Sequence, residues 1–200
     1  SEEGCRKLTS LIALRLIGQG VPLRTLDELL RTRYLLADWS MDAESLSSLL
    51  NGCGRMGLTG LGVSAGLGDP ESLKEAERIE KESRMRVLQG VRAVEERGLK
   101  QMANIQWFDS SSSGFTGMIC GIAMQYLGDP AKPMIGINLA GEQAKVSSRS
   151  TWEQLDRGID LAAAMSEACG AVGGGGGGHR IASGGSFASS KTERFLETLD

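Results

Sequence analysis

The chain has 200 residues, 40% of them hydrophobic, which is enough for one sizeable core or two small lobes. Its charged fraction is 24% and its formal net charge −3, so no global basic field draws nucleic acid to it and any polyanion site must be local. No apolar run approaches the roughly 20 residues that span a bilayer, and the opening "SEEGCRKLTS" has neither a basic stretch nor a continuous apolar one. The expectation is a soluble, unsecreted, cytoplasmic protein without a membrane partner. Cys5, Cys53, Cys120 and Cys169 lie far apart with no CxxC pair. With a single histidine in the chain they do not make a structural zinc set, so reduced thiols are the simplest account. The start without methionine reads as a piece of a longer protein.

In chain order, "LTSLIALRLI" (8–17) and "LRTLDELLRTRYLL" (23–36) carry leucines at helical spacing, separated by Gly18, Gly20 and Pro22. A short helix is predicted over 42–50, with Asp42 as its cap. The stretch "NGCGRMGLTGLGVSAGLGDP" holds too many glycines for a good helix interior, and reads as a loop with local turns or as a short, glycine-broken helix. Residues 70–97 form a long charged helix with proline in its first turn and an interrupted apolar face, of the kind that connects lobes.

Beyond it the pattern changes. Strands are predicted at 103–110, 133–140 and 142–150, a helix over "GFTGMICGIAMQYLG" and a single strong helix over 151–170 capped by Thr151. A last helical stretch, "SSKTERFLETLD", ends the sequence. Strands alternating with helices give an α/β class: a helical connector, 1–97, followed by a mixed-sheet α/β domain, 98–200.

Residues 173–187, "GGGGGGHRIASGGSF", read in two ways from composition: a flexible linker, or a glycine loop whose backbone N–H groups converge on a phosphate. A linker needs a second domain to tether, and only one helical stretch comes after it. His179, the lone histidine, would stand beside such a loop as a donor to a phosphoryl oxygen, or face solvent with no role. "KVSSRS" puts Lys145, Ser147 and Arg149 on one side of a strand, where an ammonium, a hydroxyl and a guanidinium can hold a phosphate or simply make a solvated edge. "DSSSSG" (109–114) has the same ambiguity between anion binding and an ordinary serine turn. "GCGRMG" is formally GxGxxG. A helix-like "LSSLLN" precedes it and more glycines come after, so it lacks the strand–turn–helix context of a dinucleotide site.

"GGGHRIASGG" (176–185) resembles the GGGH signature, followed by a small-residue patch, of the DHHA1 domain in the DHH phosphoesterase superfamily. Arg180 and Ile181 stand where a Pro–Arg pair is common, and Ala182, Ser183 and Gly184 stand for Ala–Ala–Gly. "LLNGCGRMG" (49–57) resembles the N-A-A-G-R-[LM]-G segment that lies between the DHH and DHHA1 domains of RecJ-type single-strand exonucleases. Residues 114–150, with "GFTGMICGIAMQYLGDPAKPMIGIN" and "KVSSRS", are similar to the helix–strand–strand pattern of those enzymes. The likeness covers about 46–187, is closest to archaeal RecJ-like proteins, and implies a DHHA1 domain.

The resemblance implies that Gly176, Gly177 and Gly178 with His179 contact the scissile phosphate, His179 in a supporting catalytic role. Arg55, Asn51, Lys145, Ser147 and Arg149 would grip neighbouring phosphates of single-stranded DNA or RNA. It also implies that manganese or magnesium, two ions together, belongs to an N-terminal DHH domain missing here. That domain would be this chain's partner, and the fragment alone would carry no metal or cofactor and would not hydrolyse. Aromatic residues are 4% of the chain and none flanks the glycine run, so recognition should be of the backbone with weak sequence preference. The alternatives are a catalytically silent scaffold associated with replication proteins, and an oligonucleotide or cyclic-dinucleotide phosphodiesterase.

Overall fold

The computed structural model describes residues 2–21, 26 and 32–200. Helix α1, Glu2–Gly18, exposes Leu8, Leu11, Ile12, Leu14 and Ile17. The helix expected over 23–36 falls mostly outside the described residues; its last two positions form β1, Leu35–Leu36, paired antiparallel with β2, Met41–Asp42. Asp42 then caps α2, Ala43–Arg55, through Oδ1, which accepts from the backbone N–H groups of Glu44 and Ser45 at 3.1 and 3.2 Å. The glycine-rich stretch after Leu50 is two helices rather than a loop. α2 runs on through Gly52 and Gly54, and α3, Thr59–Gly66, comes after the turn at Gly57.

Helix α4, Pro70–Arg97, buries Ala76, Ile79, Ser83, Val87, Gly90 and Val94, the three- and four-residue spacing of one helical face. Its first half packs with Leu49, Cys53 and Ala65. Its second half packs with Phe108, Phe115, Ile119, Cys120, Ala123 and Met134. Met56, just past α2, touches both clusters and joins the helical part to the sheet-bearing half of the chain.

That half is built on a six-stranded sheet in the order β3-β4-β5-β6-β8-β7. The strands are β3 Lys100–Gln101, β4 Gln106–Asp109, β5 Met134–Asn138, β6 Gln143–Arg149, β7 Gly175–His179 and β8 Ala182–Ala188. Only β4 and β5 are parallel, joined through α5, Thr116–Tyr126; the other pairs are antiparallel. Helix α5 covers one face of β5 and β6. The opposite face carries a core of Ile135, Ile137, Val146, Met165, Cys169, Phe187 and Phe195 under α7, Leu161–Ala171, and α8, Thr192–Leu199. Gln106, buried in β4, clamps the turn before β5: its Nε2 donates to the carbonyls of Asp129 and Lys132 at 2.8 and 2.9 Å, and its Oε1 accepts from the Asp129 N–H at 2.8 Å.

Two expectations need correction. The single helix over 151–170 is two: α6, Trp152–Asp156, opened by a Thr151–Gln154 capping box, and then α7. Gly158 at φ 97° turns the chain between them, and Asp160 opens α7 as a new cap. The glycine run is neither a linker nor a loop. Gly173 and Gly174 turn out of α7, and from Gly175 on it is β7, an edge strand closed into a hairpin with β8.

Candidate functional site

The register of the hairpin divides the glycine run by alternation. A Cβ on Gly176 would collide with the Met165 carbonyl and stand 2.8 Å from the Cys169 sulfur, so this position faces α7. Its ladder partner Gly185 would place a Cβ 2.6 Å from the same sulfur. Gly178 is crowded by Ala182 and Ser183 of its own hairpin. Gly175 and Gly177 have nothing within 4 Å of a Cβ position and lie on the other face, which stays open beyond α5. Gly176 and Gly178 therefore make the strand and its packing, while Gly177 lies on the open side.

Cross-strand pairing sets three rows on that open face. Arg149, Ala182 and His179 form the first; Ser147, Gly184 and Gly177 the second; Lys145, Ser186 and Gly175 the third. Lys145, Ser186, Gly175 and His179 are exposed, whereas Ser147 and Arg149 are half-buried. From Lys145 to Arg149 is about 13 Å along the strand. Gly184, Gly177 and Gly175 leave the β7–β8 part of this floor free of side chains except for Ala182 and Ser186.

Arg149 stands at the border with α5. Its Nη1 donates to the Ser148 carbonyl at 2.8 Å, and its Nη2 lies 3.0 Å from where a Cβ on Gly117 would be. Gly117 is in the first turn of α5, whose N-terminal residue Phe115 offers no side-chain cap. The guanidinium thus meets the positive end of a helix dipole. Among the described residues no carboxylate comes within ion-pair distance of Arg149 or Lys145. On α4, by contrast, Arg78, Arg84 and Arg86 are each paired with a glutamate. Uncompensated positive charge with a hydroxyl beside it is an arrangement that an anion completes.

His179 ends β7 with its side chain exposed, and its carbonyl accepts from Ser183 Oγ at 2.7 Å. The turn after it is tied down: Arg180 Nε donates to Asp160 Oδ2 at 2.8 Å, and the Arg180 carbonyl accepts from the Leu161 N–H at 2.9 Å. The backbone N–H of Ala163 and the Arg180 guanidinium hold the Asp160 carboxyl below the usual carboxylate range. Arg180 is thereby a structural group.

Asn51 and Arg55 are not brought to this face. One helical turn apart on α2, they line a separate cleft of about 370 Å³ with Ser48, Glu80, Arg84 and the α5 residues Met118 and Ile122. Helix α5 gives Gly117 to the sheet face and Met118 and Ile122 to the cleft, so it stands between the two. Sequence reading missed Gly117 and Ser186. The signal for Ser186 lay in the alternation of β8; that for Gly117 appears only in the contact with Arg149. Among the described residues no group of three or more His, Cys, Asp or Glu side chains could hold a metal ion, so these residues do not fit a metal pair.

The chain is 37% identical over 175 residues to an uncharacterized protein of Methanocaldococcus jannaschii, a match that covers 88% of this chain and 38% of that protein. The fold is similar to that of RecJ from Thermus thermophilus in complex with Mg²⁺, with a TM-score of 0.60, 14% identity, and 76% of this chain and 24% of that one covered. An exonuclease RecJ bound to manganese matches with a TM-score of 0.59 and 14% identity over 77% of this chain and 38% of that one. The chain thus spans well under half the length of each of these relatives. Residues 104–200 match the DHHA1 domain family. The α/β half of this chain is a DHHA1 domain, with a fold shared with RecJ.

Proposed function

We propose that this chain is the substrate-gripping half of a DHH-family phosphodiesterase, and that its open sheet face holds the phosphate backbone of single-stranded DNA or RNA. The observation that carries this reading is the meeting of Arg149 and Ser147 with the N-terminus of α5, with no carboxylate at ion-pair distance of Arg149 among the described residues. Lys145 extends this face along β6, and the His179 imidazole adds a polar group across the hairpin. A phosphodiester seated there accepts from the guanidinium and the hydroxyl, while the bare glycines let its oxygens approach the sheet. Manganese or magnesium, which would activate water and stabilise the leaving oxygen, is assigned to a DHH domain and not to these residues. Arg55 and Asn51, in the cleft across α5, would take a more distant part of the same nucleic-acid strand.

Fluorescence anisotropy of a labelled single-stranded oligonucleotide, as DNA and as RNA, tests this. Binding that weakens with salt and falls about 10-fold or more in Arg149→Ala supports it, since a hydrogen bond to a charged group is worth about 1.5–3 kcal/mol. Salt-insensitive binding, or equal affinity for wild type and Arg149→Ala, would sink it. Binding of neither nucleic acid would turn the reading toward a scaffold without substrate contact.

A further inference from the structure

The Arg149 guanidinium is tied down on one side and borders a missing side chain on the other. On one, its Nη1 folds back onto the Ser148 carbonyl at 2.8 Å. On the other, Nη2 and Cζ lie 3.0 and 3.9 Å from the position a Cβ on Gly117 would take, and Ser147 Oγ lies 3.5 Å from the same point. The missing side chain of Gly117 is therefore the space into which the guanidinium and the hydroxyl both reach. Below them Cys120 closes the layer, its thiol donating to the Met134 carbonyl at 3.1 Å and to the Ser147 carbonyl at 3.5 Å.

We propose that Gly117 is a positioning residue: its lack of a side chain fixes where the Arg149 guanidinium stands beside Ser147, and so sets the anion affinity of the sheet face. The inference rests on the reading of that face as a phosphate grip. A methyl group at 117 meets the far end of a flexible side chain and not the backbone, so the guanidinium gives way while the fold stays. Alanine is also the better helix former, and Gly117 has an ordinary helical position in α5. The expectation is unusual in sign: Gly117→Ala keeps or raises the thermal midpoint and weakens ligand binding.

The test uses the full chain and a short labelled oligothymidylate across a salt series, with wild type, Gly117→Ala, Arg149→Ala and the double variant. Gly117→Ala is expected to lose a few-fold in affinity, less than Arg149→Ala, with its melting temperature maintained, and the slope of log affinity against log salt is expected to shrink as the displaced guanidinium grips its phosphate less closely. In the Arg149→Ala background the same change should have no further effect. The Arg149 Nε–H resonance, observed without ligand, should move in Gly117→Ala. If Arg149→Ala binds like wild type, or wild type fails to bind, the phosphate reading itself falls and this inference with it. If Arg149→Ala weakens binding but Gly117→Ala keeps wild-type affinity, salt slope and Arg149 resonance, the positioning role alone is overturned.

Discussion

The Cys169 sulfur lies directly against Gly176, 2.8 Å from where a Cβ would stand, and equally against Gly185 across the ladder. This contact fixes the distance between α7 and the β7–β8 hairpin, and it explains Gly176 of the glycine run without reference to any ligand. Gly176→Ala should overpack this layer and destabilise the chain by about 1–3 kcal/mol. Thermal or urea unfolding reads this directly, and an unchanged midpoint would show that α7 can back away freely.

Burial in three separate clusters accounts for the expected reactivity of the thiols. Burial raises the Cys53 and Cys169 thiols above their ordinary range, and burial pushes Cys120 up to about 12 against the opposing pull of Arg149. Cys5 is exposed on α1. Because the thiolate is the nucleophile, a maleimide or disulfide reagent at neutral pH should modify Cys5 quickly and the other three only after unfolding. Rapid labelling of Cys169 in the native state would mean that the glycine-packed layer opens far more readily than its contacts imply.

How far the sequence foretold this arrangement depended on which force set each element. The amphipathic spacing of 70–97 and the caps at Asp42 and Thr151 are local signals, and those elements stand where the spacing and caps put them. The break at Gly158 was hidden because one glycine in a good helical pattern is weak punctuation, although Asp160 is a local cap that accepts from the Ala162 and Ala163 N–H groups. β7 was illegible for a stronger reason. Glycine has no β propensity, and the strand exists because tertiary pairing with β8 and close packing under α7 override that preference. The spacing of Lys145, Ser147 and Arg149 did indicate one face. What it could not contain was the α5 terminus placed beside them, since that contact joins residues 117 and 149 across a βαβ crossover.

Asp42 gives a pH-dependent test of the helical half. Its carboxylate accepts from the Ser45 hydroxyl at 2.9 Å and from the Ser45 N–H, and pairs with Arg33 at 2.9 Å; these hold its pKa down to about 2. A depressed folded pKa contributes stability that is full above the unfolded value of about 3.9 and lost as pH falls through the folded value, so the window runs from about pH 4 to about pH 2. Asparagine caps a helix nearly as well and does not titrate. The melting temperature of Asp42→Asn should start lower than wild type near neutrality, fall less steeply across that window, and converge with wild type at its acid end. Parallel curves would assign the acid loss to other groups.

The contrast between unpaired and paired cations predicts which charges a polyanion feels. Lys145 is exposed on the open face with no acid at ion-pair distance among the described residues, whereas Arg78 lies between Glu75 at 2.7 Å and Glu82 at 3.6 Å. A phosphate that approaches Arg78 must compete with two carboxylates already in place, and one that approaches Lys145 displaces only water and counterions. If the strand lies along β6, Lys145→Ala should lower the salt slope of oligonucleotide binding by about 0.7, the value for one phosphate contact on a single strand. Arg78→Ala should leave the slope unchanged. Equal effects of the two substitutions would mean that the chain holds nucleic acid by diffuse charge, and the ordered rows of the sheet face would then have no part in recognition.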